Sequence, residues 1–180
     1  RCPALAGRPV VFVDRDGVLI VDKHYISSPD LVEVYPDVRA LKELRDRGVA
    51  LVSVSNQSGI KRGYFTWDDL ERVTERVKEE LARLGVIIDA FYYCPDLPWE
   101  DSDCRKPRPG MLLKAAAELG LDLSRCVMIG DQDIDVRAGR AAGCATVLLV
   151  RPDNQYVKPE DIPRIAPDHV SGDLWDAVAW

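Results

Sequence analysis

The stretch VVFVDRDGVLI, Val10 to Ile20, runs a strand-like apolar segment straight into two aspartates one residue apart, with Gly17 immediately after. Carboxylates at the end of a core strand are costly to bury unless something compensates them. Residues i and i+2 of an extended segment point the same way, so Asp14 and Asp16 face one place. The same design recurs twice. VALVSVS, residues 49–55, leads into SNQSG, Ser55 to Gly59, and CVMI, residues 126–129, leads into Gly130 and Asp131.

Helical patterns separate these strands. YPDVRALKELRDRG has Pro36 in its first turn, Val38, Leu41 and Leu44 on one face, and Gly48 to end it. TWDDLERVTERVKEELARLG offers Thr66 as N-cap, a stripe of Leu70, Val73, Val77, Leu81 and Leu84, and Gly85 as terminator. AFYYC reads as a short strand, followed by a polar, proline-rich loop from Pro95 to Pro109. GMLLKAAAELG and DIDVRAGRAAG read as helices, and ATVLLV as a strand. After Arg151 the chain reads as an irregular tail over 152–180, with a short helix at Leu174–Val178. Alternating strands and helices predict parallel strands joined by right-handed crossovers, with ligands beyond the carboxyl ends of the strands.

The chain of 180 residues suits one domain with its core over about residues 9–151. No apolar run is long enough to span a bilayer. RCPALAGRP, at the start, lacks an apolar core long enough for a signal peptide. The net charge of −6 argues against nucleic acid as partner. Positive charge is local instead, at Lys61 and Arg62 and at Arg105, Lys106 and Arg108, which suits a small anionic ligand. The five cysteines show no disulfide framework, and Cys126 and Cys144 read as small buried hydrophobes. A reducing cytoplasm is the expectation.

Three carboxylates brought together repel one another unless a cation sits among them, and an all-oxygen donor set favours Mg²⁺. Ser55, Asn56 and backbone N–H groups of the SNQSG turn can hold an anion beside it, with Lys106 as a point charge and Arg105 as a bidentate fork. Carboxylate, Mg²⁺, hydroxyl and lysine together are equipment for phosphoryl transfer to a carboxylate. Neither histidine, His24 or His169, pairs with a serine nucleophile.

DRDGV, VSNQSG, CRKPRPG and IGDQDID, in this order, resemble the four motifs of the haloacid dehalogenase (HAD) superfamily over about Val10 to Val150. Within it the chain is similar to the small phosphatases that act on heptose bisphosphate and on histidinol phosphate. NQSGIKRGYFT and YYCP look most like the D-glycero-D-manno-heptose 1,7-bisphosphate phosphatase family. The resemblance implies a Rossmannoid three-layer α/β sandwich with a central parallel sheet, no separate cap domain, and a flap at residues 17–35 over the site.

It also implies roles. Asp14 would be the nucleophile and Asp16 the general acid and then base. Asp14, Asp131 and the backbone carbonyl of Asp16 would bind Mg²⁺, with Asp135 supporting. Ser55 and Lys106 would hold the transferring phosphoryl group, and Asn56, Gln57, Arg62 and Arg105 would contact substrate. The expected partner is a small phosphorylated sugar, the expected enzyme a cytoplasmic monomer with no nucleic-acid or membrane partner.

Two positions depart from that family. Relatives often carry a zinc loop of Cys-x-His and Cys-x-Cys, where this chain has Cys94, Asp96, Ser102 and Cys104. Asp96 can offer oxygen, but Ser102 is a poor ligand. The alternative is a loop shaped by packing of Pro95, Leu97, Pro98 and Trp99. Gln132 stands where a basic residue commonly follows the GD aspartate. The rival readings are a histidinol-phosphate phosphatase, a broader sugar-phosphate or nucleotide phosphatase, a polynucleotide end phosphatase, and a non-catalytic phosphate-binding module.

Overall fold

A computed structural model describes residues 5–180. The first four residues, part of the stretch read above for a leader, lie outside the described residues. Six parallel strands form one sheet in the order β3-β2-β1-β4-β5-β6. These are β1 (Val10–Val13), β2 (Ala50–Asn56), β3 (Ala90–Cys94), β4 (Val127–Gly130), β5 (Ala145–Leu149) and β6 (His169–Ser171). The chain builds outward from β1 to β3, then returns to start again beside β1 with β4. The strand order therefore reverses between β1 and β4, where open sheets bind ligands.

Alternation along β1 divides the core. Val11 and Val13 pack with Val73, Val77 and Leu81 of α2 (Trp67–Arg83), Leu41 of α1 (Ala40–Asp46) and Leu174 and Val178 of α6 (Leu174–Ala179). Val10 and Phe12 face the other way, onto Met111, Leu112, Ala115 and Leu119 of α3 (Gly110–Leu119) and Ala138 of α4 (Asp133–Ala142). Helices thus cover both faces, making the expected three-layer α/β sandwich. Thr66 caps α2 in a reciprocal box: its hydroxyl accepts from the Asp69 N–H, and the Asp69 carboxylate accepts from the Thr66 N–H.

The segment read as an irregular tail is ordered into the fold. After α5 (Ile162–Ile165), β6 pairs parallel with β5, Val147 opposite His169 and Leu149 opposite Ser171. Asp168 accepts the Thr146 N–H and anchors that register. α6 then buries Leu174, Ala177 and Val178. A three-residue edge strand with only Ser171 buried leaves no apolar run in the sequence.

The cysteines also depart from expectation. Cys94, at the end of β3, is joined to Cys104 in a disulfide. Cys126 and Cys144 are free and buried, as small hydrophobes would be. No helix among the described residues is long and apolar enough to cross a membrane.

Candidate active site

The carboxyl ends of β1, β2 and β4 meet at one cavity of about 170 Å³, lined by Asp14, Asp16, Ser55, Asn56, Gln57, Arg105 and Lys106. Asp14 follows β1, and its N–H donates to the Ile129 carbonyl of β4. Lys106 arrives from the loop before α3. Its ammonium donates to Asp135 at 2.6 Å and to the Val54 carbonyl at 3.1 Å, and lies 3.2 Å from Asp14 Oδ1. Its side chain is buried, yet it lines the cavity. Burial opposes its charge, but Asp135 and Asp14 outweigh that and raise its pKa above the ordinary lysine value.

One buried cation does not balance three buried carboxylates. Asp14, Asp131 and Asp135 bring one oxygen each within 4.8 Å of one another. Burial pushes Asp14 up to about 7, against the pull of Lys106 and with help from Asp135 and Asp16. Asp131 is raised well above the ordinary carboxylate range by burial, then by Asp14 and Asp135. Its Oδ1 is buried with no hydrogen-bond partner. Gly17 makes room for it: with φ at 86°, a Cβ there would sit 2.0 Å from Asp131 Oδ2. This all-oxygen set with excess negative charge and an orphaned oxygen fits Mg²⁺.

Asp135 itself is committed elsewhere. Its second oxygen accepts the N–H groups of Asp131 and Gln132 at 3.1 Å each. It thus braces the start of α4, so that Asp131 and Lys106 are held by one carboxylate. Gly130 permits this approach, since a Cβ there would meet Asp135 Cβ at 2.1 Å.

Asn56 and Gln57, both expected to touch substrate, line the cavity and are also engaged with the site's own residues. The Asn56 amide accepts from the Lys106 N–H at 3.1 Å and donates to its carbonyl at 3.3 Å. It splices the end of β2 to the lysine loop. Gln57 donates to Ser55 Oγ at 2.8 Å and to Asp16 Oδ2 at 3.1 Å. Ser55, at the end of β2, is buried at the cavity wall.

The rim holds residues that the sequence did not single out. Asp22, His24 and Tyr25 of the flap line the cavity, with Tyr156 from beyond β5. Tyr156 hydrogen-bonds Asp22 and so ties the flap to the C-terminal segment. His24 and Tyr25 both have left-handed backbones, φ 53° and 47°. Such consecutive strain in non-glycine residues concentrates at functional sites. The Arg62 guanidinium lies 5.4 Å from the ring centres of both Tyr25 and Trp99. Trp99, expected to pack inside its loop, is largely exposed and serves this arginine instead. Burial, then the neighbouring Arg62, lowers the Arg105 pKa. Among the described residues, neither arginine forms an ion pair with a carboxylate.

The loop with two of the four usual zinc ligands replaced does not fit zinc. Cys94, Asp96 and Cys104 do cluster. However, the two thiolates a zinc would need are bonded to each other, and the Ser102 hydroxyl donates to Asp96 at 2.7 Å. Lys61 holds the other Asp96 oxygen at 2.7 Å.

Comparison with known proteins gives the class first. Residues 103–177 match the HAD-hydrolase-like family model. With the sheet order and the site at its switch point, that match sets the chain's class as a HAD-type hydrolase, and the relatives make it a phosphatase. It is 40% identical over 151 residues to a D-glycero-β-D-manno-heptose-1,7-bisphosphate 7-phosphatase of Pasteurella multocida, covering 80% of this chain and 82% of that protein. The Escherichia coli K12 protein of the same name is 43% identical over 151 residues, covering 79% of each. A crystal structure of D,D-heptose 1,7-bisphosphate phosphatase from B. bronchiseptica, complexed with magnesium and phosphate, superposes with a TM-score of 0.83 at 30% identity, covering 95% of this chain and 96% of that one. The chain belongs to the heptose-bisphosphate phosphatase family.

Proposed function

We propose that this phosphatase removes one phosphate from a D-glycero-D-manno-heptose 1,7-bisphosphate, with Mg²⁺, through an aspartyl-phosphate on Asp14. The observation that carries the chemistry is the Lys106 contact on a buried, otherwise unbalanced Asp14 at the cavity floor. Bound among Asp14, Asp131 and the Asp16 carbonyl, Mg²⁺ would neutralise charge on the phosphoryl oxygens.

The residues supply the remainder. Lys106 and Ser55 orient the phosphoryl group so that an Asp14 oxygen lies in line with the leaving oxygen. The Asp14 oxygen bonds to phosphorus as the ester bond breaks, and Asp16 gives its proton to the departing alkoxide. Water then attacks the same phosphorus, Asp16 takes its proton, and the Asp14 carboxylate is released. A non-catalytic binder has no use for an acid/base placed beside the nucleophile.

The rim supports a bisphosphate. Arg62 and Arg105 are two neighbouring cations without carboxylate partners, and a second phosphate relieves their repulsion. Histidinol phosphate carries an ammonium and an imidazole at its far end, which those arginines would repel. The test is initial-rate phosphate release from both substrates with Mg²⁺. We expect the heptose bisphosphate to be preferred and to yield one phosphate per molecule. Faster release from histidinol phosphate would overturn the substrate assignment.

A further inference from the structure

Arg15 sits between the two aspartates in sequence but does not line the cavity. It is fully buried. Burying a guanidinium is costly, and an apolar side chain of similar size would often serve a core as well. Its one ion-pair partner among the described residues is Asp16. The contact is a two-point fork, Nε to Oδ1 at 3.0 Å and Nη2 to Oδ2 at 3.2 Å. The Tyr93 phenol, hydrogen-bonded to Thr74 of α2, is near enough to favour its charge. Its Nη1 is buried with no hydrogen-bond partner among the described residues, so the Asp16 fork is its one anchoring contact there.

A carboxylate has about four lone-pair positions. Arg15 fills two on Asp16, and the Gln57 amide fills a third at 3.1 Å. The carboxyl plane is therefore set by Arg15 from behind the cavity and by Gln57 at its wall, while Asp16 itself lines the cavity.

We infer that Arg15 is a positioning residue for proton transfer: its fork holds the Asp16 carboxyl in the orientation from which the leaving oxygen is protonated. This rests on Asp16 being the acid/base. As the phosphorus–oxygen bond breaks, its electron pair stays on the leaving oxygen, the Asp16 proton passes to that oxygen, and the new carboxylate rests on the Arg15 guanidinium. An alkoxide needs that proton. A nitrophenolate, stabilised by its own ring, does not.

The test is the leaving-group dependence of kcat/KM in Arg15→Lys, Arg15→Met and Asp16→Asn. The two substrates are p-nitrophenyl phosphate and the alkyl phosphate that wild type hydrolyses fastest. Positioned acid/base groups contribute about 10²-fold or more. We expect Arg15→Met to lose about 10²-fold on the alkyl ester and less than about threefold on the aryl ester, with Arg15→Lys between it and wild type. Asp16→Asn should show the same selectivity, larger. If Asp16→Asn loses both substrates equally, the acid/base reading falls, and with it this inference. If Asp16→Asn is selective but the Arg15 variants lose both substrates equally, Arg15 is a structural ion pair and the inference alone is overturned. Should the Arg15 variants not fold, a crystal structure of wild type with Mg²⁺ and vanadate decides. The fork intact with Asp16 against the apical vanadate oxygen supports positioning. Asp16 swung away from Arg15 refutes it.

Discussion

Removing metal should make this protein's stability fall as pH rises. In the folded chain without metal, burial holds Asp14 protonated up to about 7, whereas the unfolded chain releases that proton near 3.8. Between those values the folded state binds more protons than the unfolded state, so stability declines with increasing pH. The contribution is complete below about 4 and gone above about 7. At about 1.4 kcal/mol per pH unit, a window from 3.8 to about 7 corresponds to on the order of 4 kcal/mol from Asp14. Asp131, raised in the same direction, acts with it. Mg²⁺ at a hundred times its Kd restores about 2.7 kcal/mol. Because it competes with protons, its effect should be large at pH 7.5 and small at pH 5. Urea denaturation with EDTA or with Mg²⁺, at both pH values, reads this directly. Coincident curves at pH 7.5, or a greater Mg²⁺ gain at pH 5, would refute the reasoning.

Gly17→Ala places a Cβ 2.0 Å from the Asp131 carboxylate on a left-handed backbone. We expect weaker Mg²⁺ binding, measured by calorimetry, and a kcat at least about tenfold lower at fixed metal, the order seen when a metal site's supporting shell is disturbed. Arg62→Ala should raise KM for a bisphosphate by about tenfold, the order of one lost charge-assisted contact, while leaving kcat and the KM for a monophosphate nearly unchanged. Elemental analysis of unchelated protein should find no stoichiometric zinc, and one zinc per chain would contradict the disulfide at Cys94 and Cys104.

Much of the sheet and site was legible because burial and chemistry coincide at the strand ends. VVFV runs into Asp14 and ALVSVS into Asn56, and the stripe from Leu70 to Leu81 is a single buried face of α2. What stayed hidden depends on contacts distant in sequence. β6 has three residues and is specified by Asp168 reaching Thr146, not by an apolar run. Nothing around Asn56 in sequence shows that its amide also braces Lys106, fifty residues on. Nothing local in the sequence reveals that Arg15 is fully buried and paired with Asp16. His24 and Tyr25 carry no motif, and only their left-handed backbones and the cavity they line mark them.

The central claim is that Asp14 takes the phosphoryl group. The direct measurement is Mg²⁺-dependent phosphate release from D-glycero-D-manno-heptose 1,7-bisphosphate by wild type and by Asp14→Asn. One phosphate released per substrate by wild type, with the variant folded but inactive, is the expected result. Turnover by Asp14→Asn at a rate near wild type would contradict it.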